Sequence, residues 1–206
     1  MRYLLILTIC IFIISISTGF IYGAEEDMEN FFQTVANPSR NNYSGLTGIE
    51  VTMNDETFAL ALGRPVTTTF EQEHTVTVWS TETQEVIAEA VVGPDSPTFE
   101  VENGIYVYEM LENPLKLEAG KTYRIMCEEF AGGDNWATVY MVTPGEDITD
   151  VASINGVPWG PTGQYPTNFD ATPNKVDIGC TFFYGNPTQA VDYFDKLHTT
   201  WAKLKL

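Results

Sequence analysis

Short runs in which apolar and polar residues alternate, each closed by Gly, Pro, Asn or Asp, fill this chain from Gly48 to Tyr184. Successive side chains of a strand point to opposite faces, so each run can bury one face and expose the other. Ile49, Val51 and Met53 alternate with Glu50 and Thr52, and His74, Val76 and Val78 oppose Thr75, Thr77 and Trp79. Further runs cover Phe58 to Leu62, Val86 to Val92, Thr98 to Val101, Ile105 to Leu111, Lys121 to Phe130, Trp136 to Val142 and Val176 to Tyr184. About eight or nine such strands, with no long helical patterns between them, argue against a parallel α/β sheet. They predict an all-β fold, an antiparallel β-sandwich or jelly roll. Their spacing is too uneven for a propeller, and no internal repeat is visible.

The flanks read differently. Phe31, Phe32 and Val35 fall on one side of a short helix predicted over Glu25 to Ala36, which Asn37-Pro38-Ser39 ends. Thr143 to Lys175 is rich in Gly and Pro and predicts a long functional loop, with one short strand over Ile148 to Ile154. From Thr188 to Leu206, Val191, Phe194, Leu197, His198 and Trp201 recur at helical spacing, giving a short C-terminal helix that packs on the sandwich edge or meets a partner.

Arg2, the apolar stretch from Tyr3 to Ile16 and the small residues before Glu25 form a secretory signal peptide. Ile9 ahead of Cys10 does not suit lipid modification. The expected organisation is a leader over residues 1–23, an N-terminal segment over 24–46, a β-sandwich domain over 47–184 and a helical tail over 185–206. A retained anchor is the competing reading, because Tyr3 to Ala24 approaches the ~20 apolar residues that span a bilayer. Either reading exports the remainder, to the cell surface or the medium. Without the leader's single basic residue the charge is 9 − 28 = −19, counting 10 Lys and Arg and 28 Asp and Glu in the whole chain. So acidic a protein is a poor partner for nucleic acid, and no membrane insertion is expected after cleavage. Cys127 and Cys180 both sit at apolar positions of their runs, so they are either a candidate disulfide or two buried thiols.

An ordered set of motifs carries a resemblance. Ala61-Leu62-Gly63-Arg64 precedes His74-Thr75-Val76-Thr77-Val78-Trp79 and Val86-Ile87-Ala88-Glu89-Ala90-Val91. Tyr106-Val107-Tyr108, Pro114-Leu115-Lys116-Leu117, Glu118-Ala119-Gly120-Lys121-Thr122-Tyr123-Arg124-Ile125 and Gly132-Gly133-Asp134 follow. This order resembles a family of secreted bacterial β-sandwich domains of unknown function, found in surface proteins and beside glycoside hydrolases. The resemblance implies an extracellular accessory or adhesive module. Physically, Gly63 and Gly120 are expected at backbone turns, and Tyr123 is expected to pack inward.

Catalytic arrangements are sparse. The two histidines, His74 and His198, lie in a predicted strand and in the tail. No Gly-x-Ser-x-Gly elbow, Cys-x-x-Cys pair or phosphate-cradling glycine loop occurs. The nearest acidic group is Glu128, Glu129 and Asp134, but neighbours in a strand face opposite ways. A non-catalytic binding module is therefore expected. Gly132-Gly133-Asp134-Asn135 is the best loop for a structural calcium ion, with Asp134 and Asn135 as ligands. For an extracellular glycan, flat rings on loops beside amides and carboxylates suit the C–H faces and hydroxyls of sugars. Trp136, Trp159, Tyr165, Asn168 and Asp170 are the candidates. The alternative function is structural or adhesive, through contacts with a surface protein.

Overall fold

The computed structural model describes residues 28–34, 38–66, 70–101, 104–137, 140–177 and 179–187. The expected leader and the helix expected from Thr188 lie outside these residues. The strands are β1 (Met28–Asn30), β2 (Pro38–Arg40), β3 (Gly45–Met53), β4 (Thr57–Pro65), β5 (His74–Ser80), β6 (Val86–Val92), β7 (Thr98–Val101) and β8 (Gly104–Leu117). They continue as β9 (Thr122–Glu129), β10 (Trp136–Ala137), β11 (Tyr140–Met141), β12 (Ala152–Gly160), β13 (Asn168–Asp170), β14 (Lys175–Val176) and β15 (Thr181–Gly185).

Alternation makes two principal sheets. One runs β1-β15-β4-β8-β7 and the other β13-β12-β3-β9-β5-β6; β10-β2 and β11-β14 are small ribbons. Each ladder among the named strands is antiparallel. The fold is a β-sandwich. Its interior holds Ile49 and Val51 of β3, Leu60 and Leu62 of β4, Val76 and Val78 of β5, Ile125 of β9 and Phe182 of β15, all essentially inaccessible to water. Burying each such side chain contributes about 1.5–3 kcal/mol.

Three expectations need correction. Met28–Asn30 is an edge strand on β15, not part of a helix. Phe31 and Phe32 are both fully buried, and the Phe31 ring stacks on Phe182 at 4.8 Å. The pairing of Met28–Asn30 with β15 carries both rings directly into the core. Met28–Asn30, Phe31 and Phe32 therefore belong to the sandwich, ahead of the start expected at residue 47. Thr143 to Lys175 is likewise more ordered than a loop. Its central part is β12, which pairs with β3 over most of its length and with β13 at Val157–Trp159. Gly156 has a φ of 154° and sits at a register shift, and an added Cβ would lie 2.0 Å from the Asp170 carbonyl oxygen. Its glycine marks a bulge.

Gly63 is the third correction, since it lies inside β4 rather than at a turn. A Cβ there would come within 2.4 Å of the Tyr108 ring. Gly120 does make the expected turn, with a φ of 75°, and Tyr123 is buried.

The glycines differ in what a methyl group would meet. Nothing lies within 4 Å of a Cβ on Gly120, whereas one on Gly48 would sit 1.9 Å from the Ile125 carbonyl oxygen. Gly120→Ala is expected to cost about 1–2 kcal/mol from the left-handed backbone alone. Gly48→Ala should cost about 3 kcal/mol or prevent folding, because a paired backbone cannot yield. Chemical denaturation of the two variants checks this, and equal losses would contradict it.

Candidate functional site

Two polar features lie at one end of the inner face of the six-stranded sheet, one buried and one open. The buried one follows from alternation. Arg64 lies two residues beyond Leu62 in β4, His74 two before Val76 in β5, and Glu129 two beyond Cys127 in β9. Each occupies an inward position, and all three are fully buried.

They are linked across the sandwich, although Arg64 Nε and Glu129 Oε1 find no hydrogen-bond partner among the described residues. Arg64 Nη2 donates to Glu129 Oε2 at 2.8 Å and to the carbonyl oxygens of Asn135 at 3.3 Å and Asp134 at 3.5 Å. Asp134 accepts the backbone N–H of Glu71 at 2.9 Å and of Gln72 at 2.9 Å. His74 Nδ1 lies 2.7 Å from the Glu128 carbonyl oxygen, and its Nε2 lies 3.2 Å from Asp134 Oδ2. Both ring nitrogens thus face oxygens, one a backbone carbonyl and one a carboxylate. Burial opposes the Arg64 charge, but the adjacent Glu129 more than compensates and leaves its pKa above the ordinary value.

His74, Cys127 and Glu129 also bring one ligand-type atom each within 4.8 Å of one another. The surroundings do not favour a cation. Both His74 nitrogens are engaged, the Arg64 charge holds Glu129 Oε2 while Oε1 has no hydrogen-bond partner among the described residues, and burial followed by Glu129 pushes the Cys127 thiol well up. A protonated thiol is a poor ligand and a poor nucleophile. Cys180 is also buried and raised chiefly by burial; both thiols are free in this structure. Asp134, expected on a calcium loop, has its carboxylate surrounded by donors and is 4% exposed, and only the Asn135 carbonyl joins the network. That donor set does not fit calcium, which needs those lone pairs.

The open feature is a cleft of about 300 Å³ lined by Arg40, Tyr43, Thr47, Trp136, Val157, Trp159, Asp170, Lys175 and Asp177. Trp136 follows directly from the segment that Arg64 holds, and β10 pairs it with Arg40. The Arg40 guanidinium lies 5.5 Å from the Trp136 ring centre and 3.1 Å from Asp177 Oδ2. Trp159 of β12 is 36% exposed, whereas Trp136 is fully buried. Tyr43 donates its hydroxyl to the Gly160 carbonyl at 2.8 Å, fixing the rim. Lys175 pairs with Asp170, and that bond with one from Thr172 holds the Asp170 carboxyl below its usual pKa. Burial raises the Asp177 carboxyl, while Arg40 and a looser contact from the Trp136 indole N–H pull it partly back.

Of the five candidate ring and polar residues, the structure brings Trp136, Trp159 and Asp170 into this cleft. Asn168 is the register partner of Trp159 on β13 but is not part of the lining. Tyr165 is elsewhere. It packs at 5.9 Å against Trp79, with the Arg124 guanidinium 4.8 Å from its ring centre. The sequence reading missed Arg40, Tyr43, Thr47, Val157, Lys175 and Asp177, which come from separate elements. It also missed Arg64, although a charged residue in an inward run was a visible signal.

The buried network predicts that Glu129→Gln, which leaves the Arg64 charge uncompensated, costs about 3–5 kcal/mol in chemical denaturation. A loss under ~1 kcal/mol would contradict it. The cleft predicts a pH effect of definite sign. Asp177 has a folded pKa above its ordinary 3.8, so the folded state holds the proton longer than the unfolded state. Its contribution to stability therefore falls as pH rises from the ordinary value through the raised one. Asp177→Asn should gain on the wild type over that window in melts at stepped pH, and a gap that is constant or shrinks would overturn the assignment.

No protein-family model matches the chain, and no curated protein matches it.

Proposed function

We propose that this is an exported, non-catalytic binding module whose cleft takes a neutral extracellular carbohydrate. The observation that carries this reading is the cleft's composition. Two tryptophans and a tyrosine line it together with two cations and two carboxylates that pair off as Arg40–Asp177 and Lys175–Asp170. Charge cancels inside the cleft while the chain as a whole is strongly acidic. A neutral polyol matches such a lining: its C–H face lies on an indole and its hydroxyls meet fixed ionic groups. The leader pattern over residues 1–23 supports export, and a glycan is a common extracellular ligand. A calcium ion at Asp134 is no part of this proposal.

A second reading, adhesion through protein contacts, draws support from β6, an edge strand that exposes Val86, Ile87 and Val91. Free strand edges with apolar side chains invite pairing with another chain. Its test is the oligomeric state by size-exclusion with light scattering, in wild type and Val91→Lys.

The carbohydrate reading predicts binding in a glycan array followed by calorimetry. Trp159→Ala should weaken it by about tenfold or more, because the exposed indole is the stacking face. Val91→Ala, on the β6 edge, should leave it unchanged. Binding to no glycan, or binding indifferent to Trp159, would end the proposal.

A further inference from the structure

The residues lining the cleft include a donor and an acceptor that make no hydrogen bond of ordinary geometry with the described residues. Trp136 Nε1 and Asp177 Oδ1 are both buried, and neither has a hydrogen-bond partner of ordinary geometry. Trp136 is fully buried and Asp177 is 6% exposed. Both residues line the same cleft, and they are near enough for the indole N–H to act on the carboxylate. The other carboxylate oxygen is engaged, taking Arg40 Nη1 at 3.1 Å and Thr47 Oγ1 at 3.5 Å. Folded chains rarely bury polar atoms unpaired, and such atoms call for an explanation.

Ligand chemistry narrows the explanation. A hydroxyl donates and accepts through one oxygen. An ammonium would suit Asp177 but face the indole N–H with another donor. A carboxylate or phosphate would accept from Trp136 but repel Asp177. We infer that one ligand hydroxyl seats between Trp136 Nε1 and Asp177 Oδ1, so that the cleft reads a single neutral sugar residue presented end-on, a chain terminus or a branch. This rests on the carbohydrate reading above. A volume of about 300 Å³ is at the small end of ligand sites, which suits one sugar residue rather than several.

Saturation-transfer NMR and calorimetry with methyl glycosides of glucose, galactose, mannose, xylose, fucose and N-acetylglucosamine, with their monodeoxy analogues, test this on the full mature chain. At least one glycoside should bind, and loss of one particular hydroxyl should weaken it about tenfold. Trp136→Phe keeps a ring and deletes the N–H; it should weaken the parent glycoside similarly, and the two losses should not add. Should Trp136→Phe fail to fold, Asp177→Asn takes its place in the same cycle. Additive losses, indifference to both substitutions, or binding only by longer oligosaccharides would overturn the hydroxyl seat and leave the carbohydrate reading standing. No binding by any mono- or oligosaccharide would remove both.

Discussion

Arg64 is a fully buried cation reaching from one sheet into the other, and the open end of the sandwich is arranged around it. Its guanidinium meets Glu129 of the facing sheet and the carbonyl oxygens of Asp134 and Asn135, directly before Trp136. Asp134 in turn gathers Glu71, Gln72 and His74. Burying an Arg–Glu pair is costly, and apolar side chains of the same volume often give an equally stable core. What such a network supplies is position. Breaking one member strands the others, so the segment leading into Trp136 has one low-energy arrangement, and the cleft wall follows from it.

The six-stranded sheet divides its labour between faces at its β12–β13 edge. Trp159 and Asp170 line the cleft, while Phe169, the residue between Asn168 and Asp170, belongs to an outer cluster. There Arg124 lies 4.8 Å from the Tyr165 ring and 5.1 Å from that of Phe169, and Arg124 Nε bonds Glu50 at 2.8 Å. Each cation–π contact contributes about 0.5–2 kcal/mol. Together they hold the segment bearing Tyr165 against Trp79 and Met126 on the side away from the cleft. A three-residue strand thus lines the cleft on one side and anchors the Tyr165 segment on the other, which is the consequence of a period of two.

Alternation made the sandwich legible, because it reports local burial directly. The inward placement of Tyr123, Ile125 and Cys127 could be read from it, and carrying the same register one step further reaches Glu129. Extending Leu60–Leu62 reaches Arg64, so the buried network was within reach of the sequence. The cleft was only half legible. Trp136, Trp159 and Asp170 stand out as residues suited to sugars, but Arg40, Tyr43 and Asp177 arrive from distant positions through pairings such as Trp136 with Arg40, which no local pattern records. Tyr165 misled for the same reason: a ring in a Gly/Pro-rich stretch looks available until Arg124 and Trp79 are known to cover it. The helix expected around Phe31 failed because tertiary burial of both rings outweighs a short helical stripe.

The most direct measurement is a crystal structure of the protein with a bound oligosaccharide. A terminal or branching sugar should lie against Trp159, with one hydroxyl within hydrogen-bond distance of both Trp136 Nε1 and Asp177 Oδ1. A ligand seated on the outer face, or along the β6 edge with the cleft empty, would contradict the assignment of function to this end of the sandwich.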